Sequence, residues 1–286
     1  MKKAGFLFIV TCTIIFFKFG MSLQHQRQVN QQTEVENILK ASVDYCHKLE
    51  NAALYFVCME EITEKINFSK DIAWDSHTIP REVWIRRKRT VAKRKNTYLY
   101  DFQFIRKNNR VRETRTLLEE NGKKKREKNA KLKTMSFLFK NALLGPVGIL
   151  ASHWQSFYDY RISGEDEVNG LPVVILEVTP KAGHKIDFLF GKVWLNNSNF
   201  DILKIEWSQW RIGNFHIFEN RGLKYKSEPR ISLISEFNIE KNGIRFPSKF
   251  FIEEAYIDKK GKKFVRSETT VIYRDFKFFT VEVEIK

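Results

Sequence analysis

The sequence predicts a mainly β (α+β) fold, one continuous antiparallel meander with two small helical pieces. Three observations predict it. Between Phe157 and Ile212, apolar residues recur at every second position, as in Tyr158, Tyr160 and Ile162 against Asp159, Arg161 and Ser163. Turn residues punctuate these runs at Asn121-Gly122, Asn169-Gly170 and Asn242-Gly243. Only one long stretch, Glu34 to Ala53, has helical spacing. Period-two alternation broken by Asn-Gly is the pattern of consecutive hairpins, because the tightest hairpin turns need positive φ at both central residues.

The amino terminus reads as an export signal. Met1-Lys-Lys3 is basic, Ala4 to Phe17 is apolar, and Gly20-Met-Ser22 offers small residues for a cut before Leu23. The run is short for a membrane span and is followed at once by Lys18, although an uncleaved anchor is the alternative. Residues 1–22 are therefore assigned as signal peptide, 23–33 as a polar, flexible leader, and 34–286 as one domain. Removing the signal leaves Cys46 and Cys58. An even count in an exported chain favours a disulfide, worth about 3 kcal/mol for so short a loop; the alternative is two small buried hydrophobes.

Glu34 to Ala53 carries Val35, Ile38, Leu39, Ser42, Cys46, Leu49 and Ala53 on one helical face, suited to packing on a sheet. From Leu54 the period becomes two, with Phe56, Cys58 and Ile62 on one side. Tyr98, Tyr100, Phe102 and Phe104 alternate with polar residues in the next hairpin, which returns from Val111 to Glu120. Met135 to Trp154 is apolar but broken by Gly145-Pro146, so it forms two short pieces. They either cap a curved sheet or belong to its core. Strands follow at Val174–Val178, at Ile186, Phe188 and Phe190 continuing through Val193, at Leu203, Ile205 and Trp207, and onward to Ile285. Gly191 and Pro247 mark expected bulges, which would make one face concave.

Charge narrows the function. The chain carries a net charge of +16, which favours anionic partners. Two basic clusters stand out: Arg86, Arg87, Lys88 and Arg89, followed by Lys93-Arg-Lys95, and Lys123, Lys124, Lys125 and Arg126. They read either as an anion-binding rim or as solvated loop ends and a Lys-protected edge strand. Nucleic acid is disfavoured, because the clusters lie apart from the aromatic faces and no RNA-binding signature occurs. No phosphate loop, dinucleotide fingerprint or nucleophile elbow is present, and the six histidines are scattered singly. Glu60-Glu61 and Glu253-Glu254 fall on opposite strand faces, so neither pair can act as acid and base together. The sequence thus predicts a protein that is not an enzyme, with no cofactor and no metal.

Several local motifs resemble the LolA/LolB-like family of periplasmic lipoprotein carriers, described as outer-membrane lipoprotein-sorting proteins. They are Tyr45-Cys46, Phe56-Val-Cys58-Met-Glu60, Gly145-Pro-Val-Gly-Ile-Leu150, Tyr158-Asp-Tyr160, Asn169-Gly170, Val178-Thr-Pro-Lys181 and Phe190-Gly-Lys-Val-Trp-Leu195. The resemblance spans residues 34–286. It implies a strongly curved, incomplete antiparallel barrel, closed on its open side by the N-terminal helix and a short helical lid segment. It also implies acyl chains of a lipoprotein, or a lipid, bound between sheet and helices for transfer towards the outer membrane. The expected lining is Tyr98, Tyr100, Phe102, Phe104, Leu138, Ile149, Leu150, Tyr158, Tyr160, Ile162, Ile186, Phe188, Phe190, Leu203, Ile205 and Trp207. The alternative is an envelope-associated structural protein with a filled core that docks on anionic membrane through its basic loops.

Overall fold

The structure, a computed structural model, describes residues 31–74, 92–107, 110–137, 139, 142–183, 189–209, 212 and 215–279. Among the described residues, thirteen strands follow a helix α1 (residues 31–53). They are β1 (Phe56–Asn67), β2 (Lys93–Lys107), β3 (Arg110–Glu120), β4 (Lys123–Glu127), β5 (Tyr158–Val168), β6 (Leu171–Pro180), β7 (Gly191–Asn196), β8 (Ile202–Trp207), β9 (Ser227–Glu236), β10 (Ile239–Lys241), β11 (Ile244–Phe246), β12 (Lys249–Asp258) and β13 (Lys263–Phe278). Short helices α2 (Ser69–Trp74), α3 (Val147–Leu150) and α4 (Ser152–Gln155) interrupt them, and α5 (Phe215–Tyr225) links β8 to β9.

Eleven strands form one antiparallel sheet, ordered β4-β3-β2-β1-β13-β12-β9-β8-β7-β6-β5, and β10-β11 form a separate hairpin. The terminal strands β4 and β5 do not pair, so the barrel is incomplete as expected. The three Asn-Gly turns take positive φ at both residues, for example 53° and 79° at Asn169 and Gly170. Each locks a two-residue hairpin whose twist suits the flanking strands.

Curvature arises at other places than the sequence suggested. The register shifts at Val57/Met59, Leu117/Glu119, Ile162/Gly164, Glu254/Ala255 and Trp194/Leu195. Gly191 opens β7 without a bulge, and its glycine is required by close approach: a Cβ there would lie 2.0 Å from the Glu206 carbonyl oxygen. Pro247 sits in the short gap between β11 and β12, where no ladder bond is lost.

One contiguous core fills the inner side of the sheet. On β1 the even residues Phe56 through Ile66 are buried, and on β2 Tyr98, Tyr100, Phe102 and Phe104. Helix α1 lays Ile38, Cys46, Leu49 and Ala53 against them, which confirms the predicted stripe. Residues 31–33, placed in the leader, already belong to this helix. The expected disulfide is not formed: Cys46 and Cys58 are free and buried. Burial raises both thiols, Cys46 to about 12, so they serve as small hydrophobes in the α1–β1 contact. The signal segment and Arg86–Arg89 lie outside the described residues, and no described helix is long and apolar enough to cross a membrane.

Gly191→Ala should destabilise the protein by about 1–3 kcal/mol through overpacking at the β7–β8 contact, whereas Gly164→Ala, with open space around it, should be near neutral in denaturant titration. Cys46 and Cys58 should resist a thiol reagent in the native state and react after unfolding without reductant; two thiols that stay silent in denaturant would mean they are bridged.

Candidate functional site

The concave side of the sheet is the candidate site, and its properties follow from which side chains the pleat turns inward. Most are apolar, but β1 also turns in Glu60 and Glu64, both fully buried. A buried carboxylate must be paired or fully hydrogen-bonded. Glu60 is held by Arg115 on β3, whose Nε and Nη2 donate to its two oxygens at 2.6 and 3.1 Å. The Tyr273 hydroxyl donates a third bond at 3.2 Å. Arg115 also reaches Glu113 at 3.0 Å and lies 4.8 Å from the centre of the Phe102 ring. Burial raises the Glu60 pKa despite the hydrogen bonds from Arg115.

Glu64 is held differently, by three neutral donors. Asn96 Nδ2 donates at 3.0 Å, and the backbone N–H groups of Met135 and Ser136 each donate at 2.8 Å to one oxygen. The carboxylate thereby fastens a strap, residues 128–137, that leaves β4 and runs along the inward side of β1 and β2. The Lys133 backbone completes the attachment, accepting from the Tyr98 hydroxyl and donating to that of Tyr100.

Beyond the strap the chain forms a cover over the sheet. Phe137 stacks on Phe218 of α5, and Phe139 meets Phe250 edge-on. A 3-10 turn (Ala142–Leu144) leads to α3 and α4, with Leu143, Val147, Ile149 and Leu150 buried. The break at Gly145-Pro146 has a packing reason: a Cβ on Gly145 would lie 2.8 Å from the Trp207 ring. Among the described residues the cover has no strand partner. It is tied down by single bonds, Tyr158 and Tyr160 hydroxyls to the carbonyls of Gly148 and Ile149, and Gln155 to that of Leu39 on α1. The predicted cap is therefore present, made of a 3-10 turn and two single-turn helices.

The expected lining residues mostly converge here. Tyr98, Tyr100, Phe102, Phe104, Ile149, Leu150, Tyr158, Ile205 and Trp207 join the main core, with Tyr160, Ile162 and Phe190 packed half-buried against it. Leu203 does not. It lies in a small cluster with Val173 and Trp194 on the outer side, because Leu195 pairs with Ile202 and the register slips by one. Ile202 takes the inward place. Leu138, Ile186 and Phe188 lie outside the described residues. Lys123, Lys124, Lys125 and Arg126 form β4, an exposed edge strand where loops were one expectation.

Sequence reading missed α5 and the polar cluster it completes. Arg221 of α5 and Arg266 of β13 both pair with the buried Glu254, which also accepts from Ser267 and Tyr256. Arg266 continues to Asp71 of α2. The spacing of Phe215, Phe218, Gly222 and Tyr225 was the available signal, hidden by the surrounding strands.

A cavity of about 340 Å³ lies at the ends of β6, β7, β8 and β9. Its apolar wall is Val178, Phe190, Trp207, Ile231 and Leu233, and Glu177, Lys192 and Glu206 add polar atoms. The opposite end of the sheet is closed by rings: Phe56 has Phe104, Phe246, Phe276 and Phe278 within 6.3 Å. No group of metal-ligating side chains occurs among the described residues.

No family model and no curated protein matches the chain. Similar solved structures include a DUF1329 family protein from Desulfovibrio piger, at 11% identity and a TM-score of 0.36, covering 84% of this chain and 92% of that one. A LolA superfamily protein from Nitrosomonas europaea has 12% identity and a TM-score of 0.36, covering 85% and 94%. A putative outer membrane lipoprotein-sorting protein domain from Vibrio parahaemolyticus has 10% identity and a TM-score of 0.37, covering 86% and 95%. Two of the three carry the family description that the sequence motifs resemble. At these scores the likeness carries no functional weight.

The Glu60–Arg115 pair gives a measurable signature. Arg115→Met should cost about 3–5 kcal/mol by leaving Glu60 buried and uncompensated. The raised native pKa of Glu60 means that the native state keeps a proton the unfolded chain has released, so this group's contribution falls as pH rises above the ordinary carboxylate range. Losing Arg115 extends that window upward. The gap in unfolding free energy between wild type and variant should therefore be wider at about pH 7.5 than at about pH 5; an equal gap would show that Glu60 does not titrate in this range.

Proposed function

We propose that the protein is a carrier that takes a hydrocarbon chain, from a lipid or the acyl groups of a lipoprotein, between its open sheet and its cover. The observation that carries the reading is the cavity at the ends of β6–β9, with its wall of Val178, Phe190, Trp207, Ile231 and Leu233. Its size lies within the range of small-molecule pockets, and Phe190 and Trp207 stand in its wall. Trp207 of the cavity wall lies against Gly145 of the cover, so a chain entering there meets a part of the core that is fixed by isolated bonds. Each CH₂ transferred from water is worth about 0.8 kcal/mol, and a ligand that advances further exchanges the cover's contacts for its own. Export through the N-terminal segment would place this activity in the periplasm, on the route towards the outer membrane.

One observation favours a second reading. Tyr100, Phe102, Ile149, Leu150 and Ile205 have no exposed surface at all, so most of the concave side is filled by the chain itself. On that reading the protein is an envelope-associated structural protein, and the exposed basic strand β4 docks on anionic membrane.

A brominated fatty acid separates the two. The carrier binds it saturably and quenches Trp207, and Trp207→Phe loses that part of the quenching. Tyr158→Phe with Tyr160→Phe loosens the cover and should speed uptake several-fold. Absence of saturable quenching, together with a bare mass for protein isolated from membranes, would refute the carrier and leave the filled-core reading. Replacing Lys123–Arg126 by Gln should then weaken binding to anionic vesicles, most at low salt.

A further inference from the structure

The open sheet ends in two strands of opposite charge. β4 has four basic residues, Lys123, Lys124, Lys125 and Arg126, against Glu127, and all five are exposed. β5 has four acidic residues, Asp159, Glu165, Asp166 and Glu167, against Arg161, and the last three of the four stand exposed together. The minority charge on each strand is met within the chain, Glu127 by Lys133 at 2.8 Å and Arg161 by Glu177. Each edge therefore offers one sign of charge. Among the described residues neither strand has a second strand partner, so β4 and the exposed end of β5 each present an outer row of backbone N–H and C=O groups.

Lysine on an edge strand ordinarily prevents pairing. Here it prevents only pairing of like with like. β4 against β4 and β5 against β5 set equal charges opposite each other, which is destabilising, whereas β4 against β5 sets opposite charges together. A membrane contact through β4 would leave the acidic end of β5 without a counterpart.

Register decides which charges would meet. Tyr98 of the core pairs with Glu120, and Glu120 with Lys123, so Lys123 and Lys125 lie on the concave side and Lys124 and Arg126 on the convex side. Val174 of the core pairs with Glu165, so Glu165 and Glu167 are concave and Asp166 convex. All neighbouring strands of the eleven are antiparallel, so β4 and β5 run in the same direction. A second copy that lays its β4 antiparallel to β5 must then turn its concave side the other way, and its curvature carries it clear of the first. That joint brings Lys124 and Arg126 beside Glu165 and Glu167, at the same two-residue spacing. Among the described residues these four have no ion pair of their own, whereas Lys125 has Glu120 at 3.9 Å and Asp166 accepts from Trp194 Nε1 at 3.1 Å.

We propose that the protein associates head to tail, the basic edge β4 of one copy pairing with the acidic end of β5 of the next. The joint uses two different surfaces, so it does not close as a two-fold dimer, and each copy added leaves both kinds of edge open at the ends. It needs neither the cavity nor a cargo and stands apart from the carrier reading.

Sedimentation of the full protein tests this at about 150 mM salt, where charges more than about 8 Å apart are largely screened. The weight-average mass of wild type should climb past that of a dimer as concentration rises. K124E/R126E and E165K/E167K should each remain monomeric at concentrations where wild type associates. An equimolar mixture of the two should associate again, because the reversed β4 of one meets the reversed β5 of the other. K259E/K260E makes the same change of net charge as K124E/R126E in the exposed turn between β12 and β13, and should leave association unchanged. Thermal unfolding checks that every variant folds. A wild type that is monomeric at all concentrations would overturn the proposal, as would edge variants that associate alone or a mixture that stays monomeric. Loss of anionic-vesicle binding in K124E/R126E, from a wild type that is itself monomeric, would assign β4 to the membrane instead.

Discussion

The constraint on which the structure depends is the pleat of β1. This strand lies between β2 and β13, joining the amino-terminal and carboxy-terminal parts of the sheet. Alternation obliges every second residue to face the core, and two of those residues are glutamates. Neither can be buried alone, so each recruits partners from distant sequence. Glu60 draws in Arg115 and with it β3; Glu64 draws in the backbone of the strap. The edge of the sheet and the attachment of its cover are consequences of these two carboxylates being on the inward side.

The two attachments differ in kind, and the difference bears on function. The Glu60–Arg115 pair is a charged, forked contact that fixes sheet geometry and costs several kcal/mol to break from one side. Glu64 grips main-chain N–H groups of a segment that belongs to no sheet. The strap has further ties at Lys133, to the Tyr98 and Tyr100 hydroxyls, and the cover behind it is secured by a few hydroxyl and amide bonds. The proposed carriage of apolar cargo rests on this contrast between an open sheet and a separately fastened cover.

Much of this was legible beforehand. The hairpins at Asn121, Asn169 and Asn242 declared themselves because only Asn and Gly tolerate such φ values cheaply, and the α1 stripe because 3.6-residue spacing persists over five turns. Errors came where a single residue changed phase. Leu203 alternates with Ile205 in sequence, yet one slip in register against β7 sends it outward. Helix α5 lies among strands and has too few apolar positions to announce itself. The cysteines were read from compartment and parity, whereas burial beneath α1 decided their state.

What the sequence by itself determined was local: which segments alternate, where they turn, which face of α1 is apolar, and that Glu60 and Glu254 point opposite to their acidic neighbours. These depend on backbone sterics and periodicity, which act over a few residues. Only the tertiary structure decided which partners those inward charges find, that the strap hangs from Glu64, and that a cavity lies at the ends of β6, β7, β8 and β9. Such facts depend on strand order and on one-residue shifts of register between segments as much as two hundred positions apart, and no local pattern encodes them.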